Sequence, residues 1–192
     1  MTGGRLKLLS LVAIALLAVL LFAAWSQNWF TLTVQGKPFP VSGQVAGSAL
    51  SALALASLAL IAALAIAGPF FRVVLGILQA LLGVCVIVVS AFAIANPVVS
   101  ATAAITKATG IAGTQSVASL VTATSITAWP VVAMVLGVLL TLLGLAIAPT
   151  ARSWPESGRK YTRSRLVSPD ADSLDPVQEW DALSDGDDPT KP

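Results

Sequence analysis

Four stretches of the chain are almost free of polar residues, and between them polarity returns in different forms. Residues 6–25, 47–67, 73–95 and 129–148 are near-continuous runs of Leu, Ala, Val and Ile. A helix rises about 1.5 Å per residue, so ~20 such residues cross a hydrocarbon core of roughly 30 Å, and each run predicts a transmembrane helix. Residues 29–44 alternate instead. Thr31, Thr33 and Val34 are strand formers, Gly36-Lys37-Pro38 is turn chemistry, and Pro38 and Pro40 exclude a continuing helix. They predict a short β-hairpin, marginal alone and therefore placed on the membrane surface or against the second long loop. Gly68-Pro69-Phe70-Phe71-Arg72 reads as a tight turn. Residues 98–128 carry Thr and Ser among Ala, Ile and Val, with Lys107 as the only charge. Structureless loops of that length are uncommon, so part of this segment is expected to form an interfacial helix or a short re-entrant segment.

Charge at the span ends sets an orientation. Arg5, Lys7, Arg72, Arg152, Arg159, Lys160, Arg163 and Arg165 fall on one side, Lys37 and Lys107 on the other. Cytoplasmic loops carry the excess of Lys and Arg, so both termini are predicted to be cytoplasmic and the hairpin extracellular. Trp25, Trp29, Trp129 and Trp154 lie near span ends and are read as interfacial aromatics at headgroup level. A cleaved signal peptide competes for the first run, but cleavage after Ala23 or Ala24 puts Leu21 or Phe22 where a small residue is wanted. The first run is read as a retained helix.

Composition agrees: of 192 residues 56% are hydrophobic and 10% charged, against roughly a quarter charged in soluble domains. The acidic residues all lie at or after Glu156. The organisation is a four-helix transmembrane domain (1–151), a polybasic juxtamembrane segment (152–167) and an acidic disordered tail (168–192). The fold class is an all-α membrane protein with a short extracellular β-hairpin and a disordered cytoplasmic tail. Arg152, Arg159, Lys160, Arg163 and Arg165 are candidate contacts to anionic lipid headgroups, each gaining roughly 1 kcal/mol near an anionic surface. The basic residues are divided among membrane edges instead of forming one face, which argues against a nucleic-acid partner.

Little chemistry remains to assign. There is no histidine, and Cys85 is the only cysteine, so neither a His/Cys metal site nor an internal disulfide is expected, and no cofactor is called for. Cys85 lies in an apolar run and reads as a small hydrophobe. No ionisable residue is expected deep in a span, which disfavours proton relays and ion-coupled transport, and paired titratable groups for acid–base catalysis are missing, so an enzyme is not expected. Gln79 is the one strongly polar side chain inside a span, and reads either as interhelical glue or as a ligand-contacting amide. Small residues let helices approach closely in lipid. Ala52, Ala56, Ala59 and Ala63 on the second span are expected to pack against Ala133, Gly137, Thr141 and Gly144 on the fourth, with Gly76 and Gly83 on the third as further packing positions.

The Trp25-Ser-Gln-Asn-Trp29 exit, the Gly47-Ser-Ala-Leu-Ser-Ala-Leu-Ala-Leu-Ala helix, Arg72, and Trp129-Pro130 leading to Trp154-Pro155-Glu156-Ser157-Gly158-Arg159-Lys160-Tyr161 form an ordered set. In that order they resemble the actinobacterial tryptophan-operon-associated membrane proteins over residues 5–163, with the acidic tail outside the likeness. The resemblance implies a plasma-membrane protein of a high-GC Gram-positive bacterium, linked to tryptophan or aromatic metabolism, and carries no established activity with it. Two readings stay open. One is a non-enzymatic accessory protein that assembles with itself or another membrane protein; the other is a binding or transport component for tryptophan or a related aromatic compound. A polar cavity reaching Gln79 from outside would favour the second.

Overall fold

The computed structural model describes residues 3–150. Four helices are long and apolar enough to cross a membrane: α1 (Gly3–Ser26), α3 (Ala49–Ile66), α4 (Pro69–Ala95) and α7 (Trp129–Thr150). The third starts earlier than the sequence pattern suggests. Pro69 is its first residue, where a missing N–H costs nothing and a fixed φ suits the helix, so Phe70, Phe71 and Arg72 are helical and only Ala67-Gly68 turns the chain. In consequence Arg72 lies in the first turn of a spanning helix and is only 1% exposed, not a surface marker of the turn.

Each spanning helix packs on two others. α1 contacts α3 and α7, and α4 contacts α3 and α7, which closes a ring in the order α1, α3, α4, α7 and leaves α1 and α4 on one diagonal. Successive spans run in opposite directions, so neighbours in the ring are antiparallel. At one end Lys7 donates from Nζ to the Ala65 carbonyl at 2.7 Å. Ala65 is in the last turn of α3, where carbonyls lack intrahelical partners and a cation suits the helix dipole.

The opposite end carries the segments that connect the spans. β1 (Asn28–Val34) and β2 (Lys37–Ser42) form the expected hairpin, with Gln35 and Gly36 as its two-residue loop. Both loop residues have positive φ, 49° and 76°, the backbone of a type I′ turn, whose twist matches that of the flanking strands. The turn is therefore one residue earlier than the Gly-Lys-Pro reading. A short α2 (Gly43–Ala46) leads into α3.

The long connection is fully structured. α5 (Pro97–Thr109) ends at Gly110 in the left-handed region, α6 (Thr114–Leu120) follows, and β3 (Val121–Ile126) adds a third strand in the order β2-β1-β3. The expected interfacial helix or re-entrant segment is thus two helices and a strand. The third strand supplies what a lone hairpin lacks, a second row of cross-strand contacts. Phe30, Leu32, Val34 and Val41 of the sheet join Ala101, Ile105 and Val117 of α5 and α6 in the same buried apolar cluster as the bundle core. The juxtamembrane positions Arg152, Arg159, Lys160, Arg163 and Arg165, Trp154, and the acidic tail lie outside the described residues.

Candidate functional site

The tightest contact in the bundle is between α4 and α7, which share the most extensive helix–helix contact among the described residues. Gly76 faces Gly144, and Gly83 faces Gly137 and Thr141. Each helix carries its two glycines seven residues apart, and in an antiparallel pair 76 with 144 and 83 with 137 share one register. The backbones meet closely. A Cβ at Gly76 would lie 2.9 Å from the Gly144 carbonyl oxygen, and one at Gly83 would lie 2.8 Å from the Gly137 oxygen and collide with Thr141 Oγ1. At Gly144 an added Cβ would run into the Ala80 backbone nitrogen. Thr141 keeps its hydroxyl satisfied within its own helix, donating to the Gly137 carbonyl at 2.9 Å.

The expected pairing of the second and fourth spans is corrected. On α3, Ala52 and Ala59 are exposed and Ala56 and Ala63 half-buried, while Leu50, Ala54, Ser57, Leu60 and Leu64 form the buried face. The physical reason is that Gly76 and Gly83 on α4 match the glycine spacing of α7, and removing Cβ on both sides permits a closer approach than alanine on one.

Gln79 is fully buried, one residue before Ala80 on the interior of α4. Its Nε2 donates to Ser57 Oγ on α3 at 3.2 Å, while Oε1 has no hydrogen-bond partner. Ser90, also fully buried on α4, has an unpaired Oγ. Ser57 and Ser90 were not singled out from the sequence. The readable signal for Ser57 is its place as a lone hydroxyl in an Ala/Leu run, one that a buried amide needs. Cys85 is on the exposed side of α4, away from these groups.

Two surface grooves stand out, and neither is lined by Gln79. One of about 490 Å³ lies between α1 and α3, lined by Ala18, Val19, Phe22, Ala23, Ser26, Leu55 and Leu58. The other, about 310 Å³, is formed by Pro69, Phe70, Val73 and Val74 at the start of α4.

The aromatics divide. Trp129, at the start of α7, is 39% exposed, as an interfacial residue would be. Trp29 is 0% exposed and belongs to the core, a correction to its reading as an interfacial aromatic. Its Nε1 donates to the Ala24 carbonyl at 2.9 Å, which ties β1 to the end of α1, and Gly43 is pressed against its ring so that a Cβ there would lie 2.7 Å from Nε1. A buried indole needs an apolar socket and an acceptor, and the last turn of α1 supplies the Ala24 carbonyl, which also accepts the Gln27 N–H at 3.3 Å. Trp25 is half-buried beside Phe22, with ring centroids 5.0 Å apart.

Among the described residues no group of three or more His, Cys, Asp or Glu comes together. No curated protein and no solved structure matches the chain. The model of one family, described as tryptophan-associated transmembrane protein, matches residues 11–190. That range takes in the acidic segment, which the motif resemblance had left out. Four apolar helices make this a multi-pass membrane protein, and the match over nearly its whole length shows that the chain belongs to the tryptophan-associated transmembrane protein family.

Proposed function

We propose that the protein is a non-enzymatic accessory or assembly protein of the plasma membrane, acting in tryptophan metabolism through contacts with itself or another membrane protein. The observation that carries this reading is the sealing of Gln79: the amide a ligand would have to reach is fully buried, bonded to Ser57, and off both surface grooves. The large groove is apolar and open toward the lipid side of α1 and α3, a shape suited to another helix. In this reading the sheet end faces outward and both termini are cytoplasmic, with the basic residues beyond α7 on anionic lipid.

One observation favours the second reading, a binding or transport component for tryptophan or a related aromatic compound. Gln79 Oε1 is a buried acceptor with nothing donating to it, and such groups are costly unless something fills them. Labelled-tryptophan flux separates the two. On the accessory reading, flux in proteoliposomes carrying only this protein stays at background, and Gln79→Leu changes nothing there. Flux above background that Gln79→Leu abolishes, at unchanged protein abundance, overturns it. For orientation, in a Cys85→Ser background a cysteine at Lys107 reacts with an impermeant thiol reagent on intact cells and one at Ser157 only after permeabilisation; the opposite pattern reverses the topology.

A further inference from the structure

The two edges of the sheet are chemically unlike. In the β1–β2 ladder Val34 pairs with Lys37 across the two-residue loop, so Lys37, Phe39 and Val41 turn their backbone groups toward β1. Pro38 and Pro40 alternate with them and face outward. Neither has an N–H, so this edge cannot accept another strand. On the other side Thr127 N–H donates to the Trp29 carbonyl at 2.9 Å, and the register pairs Thr31 with Ser125 and Thr33 with Ala123. Ala123, Ser125 and Thr127 therefore face β1, which leaves the N–H and C=O groups of Thr124 and Ile126 on the open edge, while Thr122 is the extra residue where the register shifts between Thr33 and Val34.

From Ala123 to Ile126 that edge lacks the usual protections, the only irregularity being the register shift at its start. β3 holds no proline and no charge, and residues 122–126 are all exposed. An uncharged edge of this kind is a template for pairing. Side-chain shape is also symmetric about Thr124: antiparallel pairing of two copies sets Thr124 opposite Thr124, β-branched Thr122 opposite β-branched Ile126, and small Ala123 opposite small Ser125. No like charges meet, and Thr124, whose backbone faces outward, falls on the hydrogen-bonded pair at the centre of such a ladder.

We propose that the β3 edge is a homodimer interface, in which β3 of one protomer pairs antiparallel with β3 of a second copy about a two-fold axis between the two Thr124 residues. The result is one six-stranded sheet in the order β2-β1-β3-β3-β1-β2. Its outer edges are the proline-bearing strands, so assembly closes at two copies instead of growing into a fibre. The inference deepens the assembly reading and rests on it, naming the partner and the surface.

The test uses the full chain with Cys85→Ser, in native membranes and then in detergent. Directly opposed residues of a hydrogen-bonded pair lie within disulfide range, so Thr124→Cys is expected to form a disulfide-linked dimer roughly tenfold faster than Lys107→Cys, a collision control on α5. The pair Thr122→Cys with Ile126→Cys is expected to cross-link faster than the control but slower than Thr124→Cys, because Thr122 sits at the register shift. Thr124→Pro removes an outward N–H and leaves the β1–β3 ladder intact, and Thr124→Lys sets two like charges face to face with no backbone change. Both are expected to shift the mass by light scattering from dimer to monomer while the melting temperature of the monomer is retained. A wild-type monomer with Thr124→Cys no faster than the control overturns the proposal. A dimer that persists in both Thr124 variants also overturns it, and places assembly elsewhere without touching the broader reading. Cross-linking of Thr124→Cys to a different polypeptide sinks the second-copy assignment.

Discussion

The α4–α7 and α1–α3 contacts are both antiparallel helix pairs in the same bundle, yet they are built differently. Along α4–α7 the glycines at 76, 83, 137 and 144 remove the Cβ atoms at the closest approaches, and the backbones come so close there that replacement atoms would overlap main chain. Along α1–α3 the contact opens into a groove of about 490 Å³ between Ala18, Phe22, Leu55 and Leu58, and at the far end a lysine reaches across to a carbonyl. Both helices of the loose pair are rich in alanine. Small residues on a helix are thus insufficient for tight packing; matched gaps on both partners are needed.

The sharpest way to break this contrast is Gly83→Leu. Added atoms would meet Thr141 and the Gly137 carbonyl, which cannot move without shifting α7, so the loss is expected at or beyond the upper end of the about 1–3 kcal/mol typical of overpacking. The variant is expected to be lost from the folded fraction in detergent, and wild-type melting behaviour would mean that the seam is open in the membrane. Leu140, on the same face of α7 and fully buried, tests packing without a glycine: Leu140→Ile is expected to cost about 1 kcal/mol, read as a lowered melting temperature.

The α3–α4 polar contact comes next. Ser57→Ala leaves the buried Gln79 amide without its acceptor and is expected to cost about 1–2 kcal/mol. Gln79→Leu removes both the bonded Nε2 and the unpaired Oε1, and is expected to cost less than Ser57→Ala. The reverse ranking, measured by thermal unfolding in one detergent, would mean that Oε1 is satisfied by something bound. On the loose pair, Lys7→Met is expected to cost about 0.3–1 kcal/mol, the value of a cation at a helix C-terminus. The smallest effect is expected for Ala23→Leu, which extends into the α1–α3 groove and should fall within about 0.5 kcal/mol of wild type. A large loss there would show the groove to be filled in the folded protein.

Several features were legible residue by residue. Pro38 and Pro40 excluded a continuing helix, and they lie in β2, an edge strand of the sheet. Gly76, Gly83, Gly137 and Thr141 were recognised as packing positions, but their partners were not. β3 was missed, since the segment was expected to hold an interfacial helix or a re-entrant piece: Val-Thr-Ala-Thr-Ser-Ile is strand-like, but the strand's partner Thr31 lies 94 residues from Ser125, and nothing local announces that pairing. Trp29 has the composition signal of an interfacial tryptophan, and only the position of Gly43 and the Ala24 carbonyl turns it into a core residue.

By itself the sequence determined the number of helices long and apolar enough to span, because a hydrocarbon core demands about 20 apolar residues in a row and tolerates little else. It also determined the hairpin, through proline and glycine. Which side of each spanning helix is buried was decided only by the tertiary structure. In water the buried face of a helix is the apolar one and periodicity reveals it, but in lipid both faces are apolar, so Ala52 and Ala54 look alike in the sequence while one meets lipid and the other the core.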